Sequence, residues 1–331
     1  MHAITHDYLQ PAHLRDLDLP VPTPGPYDLL VAVKAVSVNP VDNRARRPRP
    51  NPPATPRVLG WDAAGVVTAV GAAVRGFRPG ERVFYAGDIT RPGSFAEYQL
   101  VDARLAGHMG ARASFEQAAA LPLASLTAWE ALFERMRVRP GPGRRILIVG
   151  AAGGVGSMAV QLAAKVAQLE VIATASRPAS AAWVRQLGAR HVIDHRADIP
   201  AQLAALGMPE VDYVLLAAPT DDYLETMAQV IAPQGTIGTL VEATRPVDWA
   251  RFWDKSVSLA WTMVFTRSAC ATADLAEQGR ILNEVARLLD DGTLLPVTTE
   301  VSSPISAATL EQALDKLAQG TTIGKSVLTG F

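Results

Sequence analysis

The sequence contains a single cysteine, Cys270, in 331 residues. One cysteine excludes an intramolecular disulfide framework and a cysteine-rich structural zinc site, and it is typical of a protein kept in a reducing compartment. Charge of either sign is not in excess, because the formal net charge is −1, and a general attraction to nucleic acid or anionic membranes is therefore not expected. The opening MHAITHDYLQ lacks the apolar core of a signal peptide, so we expect a cytoplasmic protein.

The chain is longer than most single hydrophobic cores, so its 331 residues predict two domains. An uncharged run at residues 146–164 approaches the length of a membrane-spanning helix. However, four glycines lie within this run, and a strand, a glycine turn and a helix explain them better than a membrane span does. We therefore predict no membrane segment.

A glycine-rich turn follows the short apolar run at residues 146–149, which is rich in β-branched residues and too short for a typical helix. An alanine-rich segment of helix length comes next. Strand, glycine turn and helix together bring a pyrophosphate against backbone N–H groups at a helix N-terminus. We therefore predict a dinucleotide site at this turn, formed by Gly150, Gly153, Gly154, Val155 and Gly156.

Further strand candidates follow at helix-sized intervals, as a parallel sheet requires. They lie at residues 170–175, 191–193, 211–216 and 236–240. This order predicts an α/β domain with a doubly wound parallel sheet. A glycine turn without a ligand is the alternative, and the strand order makes it the weaker one.

The end of the second strand indicates which dinucleotide binds. An NAD-preferring site places Asp or Glu there, because a carboxylate binds the ribose 2′-hydroxyl and repels a 2′-phosphate. This chain has Ser176 and Arg177 instead. A guanidinium can fork two hydrogen bonds onto a phosphate and a serine can donate a third, so we predict NADPH. The alternative is a solvated arginine in a turn.

The first hundred residues contain short β segments separated by glycine and proline, which predict a compact, β-barrel-like domain. Helical sequence begins at Ser114, which forms a capping box with Gln117 three residues later. This helical sequence continues to residue 133 around Pro122. Two later helices and a closing strand are predicted at residues 279–289, 307–317 and 326–328.

A basic stretch at residues 43–50 contains four arginines, Arg44, Arg46, Arg47 and Arg49. It predicts either a solvated loop or a phosphate-binding patch. The loop is favoured because no aromatic residues are interleaved and the chain is not basic overall. Lying soon after Asn39, the stretch is also placed to border a substrate entrance.

Five motifs, in their order along the chain, resemble the medium-chain dehydrogenase/reductase superfamily, and within it the zinc-independent quinone oxidoreductase branch related to zeta-crystallin. They are SVNPVD at 37–42, GWDAAG at 60–65, PGERV at 79–83, LTAW at 126–129 and the glycine turn at 150–156. Residues 85–88, 91–94 and 265–268 further resemble a bacterial group called zinc-type alcohol dehydrogenase-like proteins. The resemblance covers essentially the whole chain.

The resemblance implies a fold and an assembly. A GroES-like, β-rich catalytic domain is expected at residues 1–124 and 267–331, with a Rossmann domain at residues 125–266 between its two parts. The family's cofactor lies between these domains. The resemblance also implies a homodimer.

Zinc alcohol dehydrogenases of this superfamily carry a catalytic cysteine where this chain has Asn39, and Gly-His-Glu where it has Gly60-Trp61-Asp62. A catalytic zinc needs about three protein ligands, and only Asp62 remains at a ligand-like position. None of the six histidines pairs with a cysteine at ligand spacing. We therefore expect no metal, and we expect Trp61 and Asp62 to serve packing and strand-turn structure rather than chemistry.

The resemblance also implies roles for single residues. Asn39 is the catalytic candidate and would lie at the nicotinamide end of the cofactor. Thr127 would bind near the nicotinamide-side phosphate. Phe265 and Thr266 align with a segment whose backbone meets the nicotinamide amide.

Four further positions have two interpretations each. Gly324 and Lys325 align with a turn near the cofactor, where Lys325 either adds a charge or is merely solvated. His195 replaces a tyrosine that packs near the adenosine, and it is either a polar contact or a surface histidine. Tyr85 is either a donor in the substrate pocket or a core tyrosine.

The predicted chemistry follows from the missing metal. Hydride transfer without a metal is easiest to an acceptor that spreads its own negative charge, such as a quinone or an α,β-unsaturated carbonyl. We predict an NADPH-dependent quinone oxidoreductase. The alternatives are an NADPH-dependent reductase of α,β-unsaturated aldehydes or ketones, and a low-turnover NADPH-binding regulatory protein.

Overall fold

The computed structural model describes residues 1–9, 13–48, 51 and 55–331. It divides into two compact units. One unit combines Met1–Leu123 with Phe265–Phe331, and the other comprises Ala124–Val264. The first unit is thus formed by the two ends of the chain and the second by its centre.

Strands dominate the first unit and alternate with helices in the second. Within the described residues the strands are β1 (His2–His6), β2 (Leu14–Asp18), β3 (Asp28–Ser37), β4 (Arg57–Val58), β5 (Ala63–Val70), β6 (Arg82–Tyr85), β7 (Tyr98–Asp102), β8 (Ala106–His108), β9 (Arg145–Val149), β10 (Glu170–Thr174), β11 (His191–Ile193), β12 (Val211–Leu216), β13 (Ile231–Thr239), β14 (Ser258–Trp261), β15 (Thr298–Ser302) and β16 (Lys325–Thr329).

The helices are mostly short. They are α1 (Pro40–Ala45), α2 (Phe115–Ala119), α3 (Pro122–Trp129), α4 (Gly154–Gln161), α5 (Pro178–Leu187), α6 (Ile199–Ala205), α7 (Thr220–Val230), α8 (Ala250–Trp253), α9 (Thr266–Ala269), α10 (Glu277–Asp290) and α11 (Ala307–Ala318). Two π-helical turns, Glu130–Arg135 and Leu162–Val166, extend α3 and α4, and Ala103–Leu105 is a short 3₁₀ turn.

The first unit is organised around β3, which pairs antiparallel with β5, β7 and β16. Its large sheet has the order β15-β16-β3-β5-β6-β8, with β7 paired to β3 outside this order, and a smaller sheet has the order β2-β1-β4. Most of β3 is buried, as is usual for a strand covered on both faces. Because Val327 of β16 lies opposite Ser37 of β3, the start of the last strand comes close to the end of β3.

The second unit contains a six-stranded parallel sheet in the order β11-β10-β9-β12-β13-β14. The apolar run of β9 occupies the centre, where Leu147 lies opposite Ile172 on one side and Val214 on the other. The order of the strands reverses between β9 and β12, and ligands of such sheets bind at the carboxyl ends of the strands beside this point. The predicted fold class, a GroES-like β-rich part with a Rossmann-like parallel sheet, is confirmed.

Several predicted elements have the expected bounds. The strands at residues 191–193 and 211–216 are β11 and β12, and the strand at 146–149 begins one residue earlier in β9. The capping box at Ser114 is confirmed, since its side chain accepts from the Gln117 N–H at 3.2 Å.

The helix predicted for residues 118–133 is divided. It consists of the end of α2, then α3 beginning at Pro122, then the π-helical turn that follows α3. Proline has no N–H to donate and favours the first turn of a helix, so it starts a new helix here instead of lying inside one.

The solvated loop predicted for residues 43–50 is wrong for its first part, which belongs to α1. Asn39 is the N-cap of this helix, and the Asp42 carboxyl group three residues later accepts from the Asn39 N–H at 2.6 Å. The side-chain amide of Asn43 donates to the Leu314 carbonyl at 2.8 Å and anchors the helix. Residues 49–50, with the last arginine of the basic stretch, lie outside the described residues.

The uncharged run at residues 146–164 forms β9, the glycine turn, α4 and the start of its π-helical extension. Over the described ranges of the chain, no helix is long and apolar enough to cross a membrane.

Candidate functional site

Five buried polar residues of the first unit form what we call the polar cluster: Ser37, Asn39, Asp42, Asp62 and Lys325. Each is at most 4% exposed. Ser37 ends β3, Asn39 and Asp42 lie at the start of α1, Asp62 directly precedes β5, and Lys325 begins β16. The pairing of β16 with β3 therefore brings a residue near the C-terminus to residues from the first fifth of the chain.

The ammonium of Lys325 is held from three sides. It donates to the Val38 carbonyl at 3.0 Å, to an Asp62 carboxylate oxygen at 2.9 Å and to the side-chain oxygen of Asn39. An ammonium has three N–H donors, so all of them are used within the unit. The interpretation of Lys325 as a solvated lysine is therefore wrong, because its side chain is buried in an ion pair with Asp62.

Asp62 accepts hydrogen bonds on both oxygens. Oδ2 accepts from Ser37, Asn39 and Lys325, each at 2.9 Å, and Oδ1 accepts from the Leu123 N–H at 2.7 Å. A buried ion pair persists only where such additional hydrogen bonds satisfy its lone pairs and protons. The expected structural role of Asp62 is therefore incomplete, because its buried carboxylate also holds Ser37, Asn39 and Lys325 in place.

The side chain of Asn39 is fixed at both ends. Its Oδ1 accepts from Lys325, whereas its Nδ2 donates to Asp62 at 2.9 Å and to the Ser37 carbonyl at 3.4 Å. Since a lysine only donates and a carboxylate only accepts, this network determines which end of the amide is oxygen. Asn39 is thus held in one orientation, and its role at the nicotinamide stays a prediction.

Asp42 is the second carboxyl group of the polar cluster. One oxygen accepts from the Asn39 N–H at 2.6 Å, while the other has no hydrogen-bond partner among the described residues. Burial raises the pKa of Asp42 to about 8, although the Asn39 N–H and the charge of Lys325 lower it in part. Asp42 is therefore mainly protonated at neutral pH, and the cluster then carries one negative and one positive charge.

Gly324 explains how the chain enters β16. Its φ is +60°, and a Cβ would lie 2.4 Å from the Val297 carbonyl oxygen. Only glycine fits this close, left-handed turn. The turn places the Lys325 N–H on the Val297 carbonyl at 2.8 Å and starts the strand that carries the buried ammonium.

An aromatic pair lies in the same unit. Trp61, next to Asp62, meets Phe265 edge to face with ring centroids 6.1 Å apart. Thr266 follows Phe265, begins α9 and is exposed. The predicted nicotinamide segment therefore starts beside the residue that precedes Asp62, while its contact with a cofactor stays a prediction.

Tyr85 ends β6 and is fully buried. Burial raises the pKa of its phenol, so the hydroxyl keeps its proton. That hydroxyl has no hydrogen-bond partner among the described residues. The phenol therefore has a donor that the described residues do not use, and its role in a substrate pocket stays a prediction.

In the second unit, the predicted glycine turn joins β9 to α4. α4 begins at Gly154 with Gly153 as N-cap, so Val155 and Gly156 lie in its first turn, where N–H groups have no intrahelical acceptor. A Cβ on Gly156 would lie 2.3 Å from the Gly150 carbonyl oxygen, and glycine is therefore required for this packing.

The same turn is open on the Gly153 side, where a Cβ would meet only the Gly150 oxygen, at 3.6 Å. The Gly150 N–H donates to the Thr174 hydroxyl at 3.1 Å, which ties the turn to the end of β10. An open glycine turn before a helix N-terminus, at the carboxyl end of the central strand, fits a dinucleotide pyrophosphate. Thr127 lies on α3 and is 6% exposed.

The predicted 2′-phosphate residues follow β10. Ser176 is half-buried and Arg177 is exposed at the N-cap of α5. His195 is half-buried in the loop after β11. That loop also contains Arg196, which donates to the Ser176 carbonyl at 2.8 Å and which the sequence did not single out.

Comparison with known proteins agrees with both units. Residues 25–112 match the family model of the alcohol dehydrogenase GroES-like domain, and residues 154–278 match that of the zinc-binding dehydrogenases. A zinc-type alcohol dehydrogenase-like protein of Staphylococcus aureus is 37% identical, over 93% of this chain and 92% of its own. The chain belongs to the medium-chain dehydrogenase/reductase superfamily.

Solved structures of the superfamily extend this similarity to the fold. A crystal structure of a protein from Rhizobium etli is 48% identical, with a TM-score of 0.94 over 100% of this chain and 98% of that one. The Escherichia coli quinone oxidoreductase in complex with NADPH is 25% identical, with a TM-score of 0.84 over 99% of this chain and 100% of that one.

One relative is named zinc-type, but the residues of the polar cluster do not suit a zinc site. Asp62 already accepts four hydrogen bonds, one of them from an ammonium, and Asp42 is mainly protonated at neutral pH. The neighbouring positions hold Asn39 and Trp61, which are poor zinc ligands. In the part of the chain that the structure describes, no group of three His, Cys, Asp or Glu side chains could hold a metal ion.

One local pattern in the sequence indicates part of this site, the start of α1. Asn39, proline at the first helical position and Asp42 three residues later are typical of a helix N-terminus, and they indicate α1. No local signal indicates the burial of Lys325, because its partner Asp62 lies 263 residues away.

We expect Asp42→Asn to change how stability depends on pH. The pKa of Asp42 rises from 3.8 to about 8 on folding, so the folded state binds a proton that the unfolded chain has released between these values. Wild-type stability should therefore fall as pH rises through this window, by up to ~1.4 kcal/mol per pH unit, and level off above it. Urea unfolding at several pH values should show Asp42→Asn gaining on the wild type as pH rises. Asp315→Asn, at an exposed position of α11, is the control, and parallel curves for Asp42→Asn would contradict the buried proton.

We expect Lys325→Met to destabilise the first unit strongly, because it leaves the Asp62 carboxylate buried without its cation. The expected loss in free energy of unfolding is about 3–5 kcal/mol. The double variant Asp62→Asn with Lys325→Met removes both charges, so denaturant unfolding should show that it recovers much of this loss. If the two changes are simply additive, the ion pair is not coupled as the distances indicate.

Proposed function

We propose that this protein is an NADPH-dependent oxidoreductase that transfers hydride to a quinone without a metal ion. Membership of the superfamily supports the coarser statement, an NAD(P)H-dependent oxidoreductase. The observation that carries the finer proposal is the pair of sites described above. One is an open glycine turn followed by Ser176 and Arg177 in place of an acidic residue, and the other is a buried ammonium where zinc relatives need ligands.

The residues that would hold the cofactor lie mainly in the second unit. The first turn of α4 would bind the pyrophosphate, Ser176 and Arg177 the 2′-phosphate, and Thr127 the nicotinamide-side phosphate. Bound NADPH supplies a hydride from its nicotinamide ring. The Escherichia coli quinone oxidoreductase, which has a similar fold and was crystallised with NADPH, supports a nicotinamide cofactor.

The acceptor is inferred from what the polar cluster lacks. The Lys325 ammonium uses its three donors on Val38, Asn39 and Asp62, so it has none left for a substrate oxygen. A substrate that develops a localised alkoxide would find no strong Lewis acid there. A quinone spreads the charge over its ring and needs only positioning and hydrogen-bond donors.

Tyr85 is the donor that we propose for the substrate side. Its hydroxyl is buried, protonated and unpartnered among the described residues. An acceptor oxygen bound there would regain the hydrogen bond that the phenol lacks. We propose that Asn39 and the backbone at Phe265 and Thr266 contact the nicotinamide end of the cofactor. Gly324 and Lys325 would support this region through the hydrogen bond from Lys325 to Asn39.

Reduction of α,β-unsaturated aldehydes or ketones is the second candidate, because it uses the same cofactor residues and also spreads charge in the acceptor. A low-turnover NADPH-binding regulatory protein is the third. The exposed Arg44 and Arg47 add some positive charge near α1, but the near-neutral chain offers no broad basic surface for nucleic acid.

The test is NADPH oxidation by the purified protein with 1,4-benzoquinone and with an alkenal, before and after dialysis against a chelator. We expect turnover of the quinone on the order of 10 per second, slower turnover with NADH, and no loss on chelation. A loss that zinc restores would overturn the metal-free part. Faster reduction of the alkenal would favour the second candidate, and tight NADPH binding without turnover would favour the third.

We also propose a homodimer formed through the edge of the parallel sheet. β14 is the last strand of the sheet order, and its Trp261 is 53% exposed. Trp253, just before this strand, is 82% exposed. An unpaired strand edge can pair with another chain, and exposed aromatic side chains beside it can mark an interaction surface.

We expect light scattering after size exclusion to return the mass of two chains for the wild type and of one chain for Trp261→Glu. The mutation places a charge where the strand edge would be covered. Arg185→Glu, a change at an exposed position of α5, serves as the control. A wild-type mass of one chain would refute the homodimer.

A further inference from the structure

The loops after β10 and β11 lie side by side at the carboxyl edge of the parallel sheet. The two strands are adjacent, Thr174 lies opposite Ile193, and the Ala175 N–H donates to the Ile193 carbonyl at 2.9 Å. The residues that follow each strand therefore leave the sheet together. Ser176 lies in the first of these loops and Arg196 in the second.

Arg196 links the two loops directly. Its Nη2 donates to the Ser176 carbonyl at 2.8 Å, although the two residues are 20 positions apart in sequence. Arg177 is the next residue after that carbonyl. A second guanidinium is thus attached to the backbone of the segment that we propose as the 2′-phosphate site.

Asp194 orients this guanidinium through one edge. The carboxylate accepts from Nε at 3.1 Å and from Nη2 at 2.7 Å. Within the described residues, the remaining nitrogen, Nη1, makes no hydrogen bond, and the side chain is 63% exposed. Because Nε and Nη2 are engaged by Asp194 and the Ser176 carbonyl, the two N–H groups of Nη1 stay available for a second anion.

We propose that Arg196 is a second arginine of the adenosine 2′-phosphate site, where its free Nη1 completes the contacts of Ser176 and Arg177 and selects NADPH over NADH. The inference rests on the proposed NADPH function and assigns part of its cofactor preference to a residue outside the usual position after the second strand. Asp194 then serves as a positioning residue.

The charges around Arg196 permit this role. The hydrogen bonds from Arg196 hold the pKa of Asp194 at about 2, so the carboxylate stays ionised and keeps orienting the guanidinium. Asp198, the other acidic residue of the loop, caps α6, where its carboxylate accepts a hydrogen bond from the Ala201 N–H at 2.9 Å. Arg196 pairs with one carboxylate and Arg177 follows Ser176, so two arginines and one carboxylate leave the segment with positive charge for a phosphate of charge near −2.

The experiment is calorimetric binding of 2′,5′-ADP and 5′-AMP, which differ in the 2′-phosphate and need no turnover. Arg196→Ala should weaken 2′,5′-ADP about tenfold and leave 5′-AMP within about twofold, because it removes a charge-assisted hydrogen bond to the phosphate alone. Arg177→Ala is measured in parallel. Arg196→Lys should recover only part of the loss, since it keeps the charge but not the planar fork.

Arg190→Ala is the matched control, because this exposed arginine precedes β11 and pairs with Glu170 at the opposite edge of the sheet. It should leave both affinities unchanged. Equal weakening of both ligands by Arg196→Ala would mean that the residue only supports the loop, and no weakening of either would also overturn the inference.

The wild-type result separates this inference from the proposed function. If the wild type binds both ligands equally, the NADPH preference itself is wrong and the role of Arg196 falls with it. If the wild type prefers 2′,5′-ADP and only Arg177→Ala removes the preference, the proposed function stands and the role of Arg196 is refuted.

Discussion

The buried ion pair between Asp62 and Lys325 is the interaction on which the first unit depends. Removing two charges from water is costly, and their mutual attraction offsets that cost only when the remaining donors and acceptors are also satisfied. Here the requirement fixes many neighbours at once. Ser37, Asn39 and a backbone N–H complete the carboxylate, and Val38 with Asn39 completes the ammonium. The end of β3, the start of α1, the approach to β5 and the start of β16 are therefore held in one arrangement.

This arrangement gives the site an internal cation. In zinc-dependent members of a superfamily a metal can polarise the substrate, whereas this chain uses its positive charge to neutralise Asp62 and orient Asn39. Because all three N–H groups of the ammonium are used, Lys325 has no donor left to polarise a substrate oxygen. The second unit would supply the cofactor-binding half of the proposed function, in which the glycine turn and the arginine side chains are proposed to bind phosphates.

The sequence predicted the features that depend on local physics. The apolar run of β9, the glycines after it and the capping box at Ser114 each satisfy a requirement within a few residues, so their patterns are readable. The burial of Lys325 could not be predicted in this way, because lysines are nearly always exposed and its partner is brought close only by the pairing of distant strands. Arg196 was missed for a similar reason, since its contact with Ser176 exists only where β10 and β11 lie side by side.

The strand that carries Lys325 is the last one in the chain, whereas Asn39 and Asp62 lie near its beginning. During synthesis, the N-terminal segment is therefore complete long before its buried carboxylate can acquire a cation. The central parallel sheet emerges in the interval and contains its own core, so it can form first as an independent unit. The polar cluster cannot close before Lys325 has been made, so a chain that stops short of Lys325 would leave the Asp62 carboxylate without its cation.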